Sequence, residues 1–210
     1  MAQEGFDGIE LVVRTMAQTA VDNETYFSEL DAVVGDGDFG YSLARGFEIV
    51  LAAWDDLDRS DAATFLRKVA VIITSRVGGT SGPLWGTAFM RAAAAAGSDR
   101  IGAAQSLAML RAAITGIKER GQSDVGDKTL LDALVPAVDA LEGDLAAGQG
   151  AASAVTAAAK VARASAEGTS SMLAKRGRAA YTGERSIGSP DAGAIGVAVM
   201  FEELAGPWPG

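Results

Sequence analysis

Residues 60–77 read SDAATFLRKVAVIITSRV, with Phe65, Leu66, Val69, Ile72 and Ile73 at i, i+3/i+4, i+7 spacing. That period lines one face of an α-helix, whereas a half-buried strand would alternate. The period recurs at Leu130, Leu134, Val138 and Leu141, and alternating patterns are scarce elsewhere. Alanine supplies 42 of the 210 residues. It is the best helix former because it loses no side-chain entropy on ordering, and it lets helices approach closely. The chain reads as all-α.

Working outward from that stretch, the pattern predicts eight helices, near residues 5–22, 40–55, 60–77, 83–97, 102–121, 128–142, 150–167 and 191–205. The separators VGDGDFG, DDLDRSD, GGTSGP, GSDR, GQSDVGD, EGDLAAGQG and KRGRAAYTGERSIGSPD hold most of the Gly, Asp and Ser, as turns and caps require. Pro136 falls inside the sixth helix, where it is expected to kink or shorten it. The terminal GPWPG reads as a helix stop. No composition shift resembles a linker, so residues 1–210 are expected to form one domain.

With 49% hydrophobic residues, a chain of this length can build a core without staples. It has no cysteine, which excludes disulfides, zinc-thiolate and Fe–S sites and thiol catalysis. It has no histidine, which excludes Ser-His-Asp triads, the usual zinc and haem sites and a phosphohistidine on this polypeptide. The net charge of -9 opposes nonspecific nucleic-acid binding, which needs a basic face. The first twenty residues carry Glu4, Asp7 and Glu10 with no basic leader, and no apolar run approaches a membrane span. A cytoplasmic, soluble protein is expected.

Three separators are unusual for ordinary turns. LDAVVGDGDFG (30–40) places Asp31, Asp36 and Asp38 within eight residues, with glycines at 35 and 37 that allow tight folding. Converging carboxylates call for a hard cation such as Mg²⁺, with coordination positions left for water and phosphate oxygens. An acidic surface turn capping the next helix is the plainer alternative. An EF-hand does not fit, because the sixth position from Asp36 is Tyr41 and the twelfth is Phe47. VGGTSGPLWGT (77–87) sets glycines and the Thr80 and Ser81 hydroxyls before a helix that Pro83 would open. That suits either a phosphate or a simple connection and cap. KRGRAAYTGERSIGSPDAGA (175–194) is a long loop with Lys175, Arg176, Arg178 and Arg185, suited to a nucleotide phosphate or to local salt bridges. A fourth segment, GQSDVGDKT (121–129), has the glycine spacing of a P-loop, but Asp127 intervenes before Lys128 and the preceding segment reads as helix. It is read as a helix N-cap at Asp127 or a loop closing over a ligand.

Taken in order, LDAVVGDGDFG, GGTSGPLWGT, GDKTLLDALVPA and GRAAYTGERSIGSPDAGA resemble the signature segments of the L subunit of dihydroxyacetone kinase. The same module is the nucleotide-binding domain of single-chain dihydroxyacetone kinases and triokinases. The resemblance spans nearly the whole chain. It implies a closed barrel of eight antiparallel amphipathic helices with the nucleotide, ADP or ATP, at one end. By position, Asp31, Asp36 and Asp38 would hold two Mg²⁺ ions. Phe39, Gly40, Tyr41 and Ser42 would lie along the nucleotide, with Thr80 and Ser81 near its phosphates. Gly121 and Leu130 would border adenine, Arg178 would contact the nucleotide, and the segment around Asp191 and Gly193 would close the pocket. Many members of the family carry His, Cys or Thr where this chain has Phe39.

The resemblance further implies a phosphoryl transfer from Mg-nucleotide to dihydroxyacetone held on a histidine of a separate K subunit, since this chain has no histidine. A free-standing L chain suits the phosphotransferase-system form, in which bound ADP is rephosphorylated in place by a phosphohistidine-carrying M-type subunit. The alternatives are an ATP-dependent subunit serving dihydroxyacetone or another short ketose, and a non-catalytic ADP-sensing module docking on a transcriptional regulator.

Overall fold

The structure, a computed structural model, describes residues 2–97 and 101–208. The separator residues 98–100 and the last two residues of the tail lie outside them. The described residues contain nine α-helices and three 3-10 segments and no strand, so the all-α reading holds. The additional helix, α2 (Glu24–Ala32), follows α1 (Ala2–Asp22) directly. Its one fully buried side chain is Phe27, too little for an apolar stripe to show in the sequence.

The chain divides into two compact units, residues 1–22 with 42–121 and residues 23–41 with 122–210. The helix α3 (Phe39–Ala52) starts in the second set of residues and continues in the first.

The first unit is organised by α4 (Ala62–Arg76), α5 (Ser81–Ala95) and α6 (Ala103–Gly121), which pack in sequence order. Asp61 caps α4: its carboxylate accepts from Thr64 N–H at 2.7 Å and from the Thr64 hydroxyl at 2.8 Å. Phe65, Leu66, Val69, Ala70 and Ile73 form the buried face, while Ile72 is only half-buried. Phe65 stands edge-on to both Phe6 of α1 and Trp54, with ring centroids 5.5 and 5.7 Å away. Burying one such side chain contributes about 1.5–3 kcal/mol. The second helix of the sequence reading ends early, at Ala52, and its last residues form a 3-10 turn at Trp54–Asp56. Arg59 fixes that turn by donating to the carbonyls of Trp54 and Leu57 and to Glu10.

The second unit pairs α7 (Leu131–Ala146) with α8 (Ala151–Gly168) and α8 with α9 (Ala192–Ala205), and α2 also meets α9. Arg163 of α8 grips Glu202 of α9 in a two-pronged contact, Nε–Oε1 at 2.8 Å and Nη2–Oε2 at 2.6 Å. Pro136 neither breaks nor shortens its helix: α7 runs unbroken from Leu131 to Ala146. The helix starts three residues later than the pattern suggested, so Asp127 is not its N-cap. The long 175–194 gap is also structured, with a 3-10 stretch at Arg178–Ser186 that kinks at Gly183. No described helix is long and apolar enough to cross a membrane.

Candidate functional site

Asp31 sits in the last turn of α2 and organises the turn that follows. Its carbonyl accepts from Gly35 N–H at 2.6 Å and Val34 N–H at 3.2 Å, and its Oδ2 accepts from Gly37 N–H at 2.9 Å. Gly37 has φ +74°, which a residue without Cβ adopts at little cost. A Cβ on Gly35 would run into the Asp31 carboxylate. The turn therefore needs both glycines to wrap tightly around one aspartate.

The consequence is convergence: one carboxylate oxygen from each of Asp31, Asp36 and Asp38 lies within 4.8 Å of the others. The electrostatics are strained accordingly. Desolvation, followed by the neighbouring Asp36 carboxylate, holds the Asp38 carboxyl above its ordinary range. The nearby Arg178 works in the opposite direction. Its guanidinium lies 2.6 Å from Asp36, but with Arg178 63% exposed the pair contributes at most about 1 kcal/mol. One exposed arginine does not neutralise three carboxylates. A hard-oxygen cluster short of positive charge fits a divalent cation such as Mg²⁺, with open positions for other oxygen ligands.

The next residues open α3. The Phe39 ring packs inward, 6.0 Å from the Phe27 ring, and comes so near Gly196 that a Cβ there would stand 3.5 Å from it. Gly40 is pressed onto α2, where a Cβ would meet the Glu24 carbonyl. Tyr41 donates its N–H to Ser28 Oγ at 3.1 Å, and its side chain is exposed. The Phe39 ring therefore helps to pack the start of α3 against α2 and α9.

Leu130, Asp191 and Gly193 also meet in the second unit. A Cβ on Gly193 would lie 3.0 Å from Asp191 Oδ2 and 3.3 Å from Leu130 Cβ. Asp191 caps α9 by accepting from Ala194 N–H at 2.7 Å, and its own N–H donates to Thr169 Oγ1 at 2.8 Å. Although the residue retains some exposure, its carboxylate is enclosed by protein. Burial pushes it up to about 7, the Ala194 N–H and Lys128 oppose that, and the Asp132 and Asp31 carboxylates reinforce it.

The other expected residues belong to the first unit. Thr80 precedes α5 and Ser81 is its first residue, two positions earlier than Pro83 suggested. Ser42 adjoins that turn, since a Cβ on Gly78 would lie 2.8 Å from Ser42 Oγ. Gly121 is the last residue of α6.

The sequence reading missed the inner framework of the 122–132 turn. Asp132 is buried and accepts from Gly126 N–H at 2.5 Å and Thr129 N–H at 2.7 Å. Lys128 is 1% exposed with φ +61°. Asp127 meets Lys175 at 3.4 Å and Arg176 at 3.7 Å. The signal was present in the near-P-loop spacing, but a lysine beside an aspartate reads as surface charge until its burial is known.

The fold and the turn define a class, an all-helical protein with a glycine-shaped carboxylate cradle at a helix start. The DAK2 domain model matches residues 33–206. The PEP-dependent dihydroxyacetone kinase, ADP-binding subunit DhaL, of Escherichia coli K12 is 38% identical over 181 residues, covering 86% of both chains. The L-erythrulose 1-kinase of Mycolicibacterium smegmatis is 41% identical over 202 residues, 93% of this chain and 34% of that protein. The crystal structure of the dihydroxyacetone kinase from C. freundii in complex with AMP-PNP and Mg²⁺ superposes with a TM-score of 0.74 at 29% identity, over 92% of this chain and 32% of that one. The chain thus spans about a third of the length of the latter two and most of the former. It belongs to the DAK2 domain family.

Proposed function

We propose that this chain is the nucleotide-binding subunit of a dihydroxyacetone kinase, a phosphotransferase acting in the cytoplasm with residues 1–210 serving as one nucleotide-binding domain. The convergence of Asp31, Asp36 and Asp38 in a chain that aligns over 86% of its length with an ADP-binding subunit carries this reading. The three carboxylates hold two Mg²⁺ ions. Bound there, the cations supply neutralising charge to nucleotide phosphate oxygens, the main requirement of phosphoryl transfer.

The protein's own residues do the rest. Gly35 and Gly37 keep the three carboxylates together, and Arg178 contacts the nucleotide. Phe39, Gly40, Tyr41 and Ser42 run along the ligand, and Thr80 and Ser81 offer hydroxyls and N–H groups to phosphate. Gly121 and Leu130 border the base, with Asp191 and Gly193 closing the pocket. The transferred group passes to a dihydroxyacetone hydroxyl held on a K-type partner subunit. With no histidine among these 210 residues, covalent capture of the ketone and any phosphohistidine relay lie outside them. An M-type subunit rephosphorylating ADP in place is the favoured donor, because the relatives covered over most of their length are named PEP- or PTS-dependent.

Mixing the purified chain with a K-type subunit, dihydroxyacetone and either ATP or a phosphoenolpyruvate-driven relay tests the reading. Sustained dihydroxyacetone phosphate formation that needs this chain and Mg²⁺ is expected. Tight Mg-ADP binding with no turnover beside any K-type partner would instead favour an ADP-sensing module.

A further inference from the structure

Lys128 is a buried cation that no part of the phosphoryl-transfer chemistry requires. Its Nζ donates to three backbone carbonyls, Met172 at 3.2 Å, Ser189 at 2.7 Å, and Ser186. An ammonium has three protons, so every donor is used. The acceptors bracket one segment: Met172 stands at its entry, and Ser186 and Ser189 at its exit. Arg178 lies between them, opening the 3-10 stretch that ends at Ser186.

A second set of ties joins the same two segments. Lys175 donates its N–H to the Asp127 carbonyl at 3.1 Å and its Nζ to the Gly126 carbonyl at 2.8 Å. Ser186 Oγ accepts from Ala174 N–H at 3.0 Å, closing the neck of the loop. The lysine is held in place at some cost. A left-handed backbone at a non-glycine residue is unfavourable and persists only where the surroundings enforce it. Burial also pushes the Lys128 ammonium down from its ordinary value, with Asp191 opposing. Apolar packing alone would not select such a residue, because replacing it leaves three carbonyls without a donor.

We infer that Lys128 is a positioning residue for the nucleotide site: by gathering both ends of residues 172–189 onto one ammonium, it sets where Arg178 stands relative to the carboxylate turn. The role rests on the nucleotide-binding reading above. It acts only through Arg178 and the loop, and Lys128 itself touches no ligand. Freed from the tie, the loop populates other arrangements, and apparent affinity falls in proportion to the competent fraction.

Mg-ADP affinity measured by calorimetry on the full chain tests this, in a cycle of Lys128→Met and Arg178→Ala. Lys128→Met is expected to bind about tenfold more weakly, as a competent fraction near one-tenth would give. In the Arg178→Ala background the same change is expected to cost less than about twofold, because the group being positioned is gone. A staple that only stabilised the fold would lower Tm and leave folded-state affinity unaltered, or cost the same in both backgrounds; either result overturns the role. Because the chain has no cysteine, Lys128→Cys can be aminoethylated while unfolded and refolded, restoring an ammonium at that place. Recovered affinity is expected, and a restored ammonium without recovery overturns the inference. Should Lys128→Met not fold, Lys175→Met cuts an exposed tie of the same loop, with an expected loss of about threefold that again disappears without Arg178. An unchanged affinity there overturns the role. Failure of the parent chain to bind Mg-ADP would overturn the nucleotide reading and this role together, whereas parent binding with an indifferent Lys128→Met overturns the role alone.

Discussion

The Arg178 guanidinium and the Asp36 carboxylate lie 2.6 Å apart, 142 residues from one another in the chain. This contact brings the basic loop to the acidic turn, and under the proposed function it gives Arg178 two competing tasks. Beside Asp36 it partly offsets the carboxylate charge that a cation would use. Beside a nucleotide it adds positive charge to the phosphates. Substitution is expected to separate the two.

Arg178→Ala is expected to strengthen binding of Mg²⁺ alone by about two- to fivefold, the equivalent of the 0.5–1 kcal/mol an exposed pair contributes. The same variant is expected to bind Mg-ADP more weakly than the parent. Calorimetric titrations with the metal and then the nucleotide read both signs, and a uniform loss for both ligands contradicts the opposed roles.

Asp36→Asn removes one of three converging charges without altering side-chain volume. Metal and Mg-ADP affinity should both fall by at least about tenfold, or 1.4 kcal/mol. Far-ultraviolet circular dichroism should remain that of the parent, since Asp36 lies outside the helices. An unaltered Mg-ADP affinity would count against the metal assignment.

Gly35→Ala places a methyl group where the Asp31 carboxylate lies. The turn must open to admit it, an overpacking cost of about 1–3 kcal/mol. Cation affinity should fall as in Asp36→Asn although every charge is retained. Calorimetry beside a thermal melt distinguishes lost convergence from lost folding.

Asp191 predicts the pH dependence of the ligand-free protein. Its carboxyl is raised from 3.8 to about 7, so folding favours its protonated form. The stabilisation is fully present below pH 3.8 and is lost as pH rises through about 7. A shift of that size corresponds to up to about 4 kcal/mol. Asp191→Asn keeps an oxygen to cap α9 and should flatten this part of the stability profile. Denaturant unfolding at stepped pH measures it, and an equal slope in both proteins would exclude Asp191 as the source.

Much of the helical framework was legible from periodicity. The stripe from Phe65 to Ile73 is long, apolar and capped by Asp61, and the helix formed within two residues of its expected ends. α2 was not legible, because a helix of nine residues anchored by Phe27 alone leaves no repeating face. The start of α7 was misplaced because Asp132 satisfies N–H groups of Gly126 and Thr129 ahead of the helix, so the preceding turn mimics a cap.

Composition and local spacing settled the chemistry this chain can carry. Without histidine or cysteine the metal ligands left are chiefly oxygens, and aspartates alternating with glycines within eight residues can be recognised without knowing where the chain goes next. Which charge meets which was decided by tertiary structure. Lys128, Arg176 and Arg178 look alike as sequence, yet one is buried against three carbonyls, one faces Asp127 and one faces Asp36. The reason is that a charge's role depends on its distance to partners and on its access to water, and both are properties of distant segments packed together.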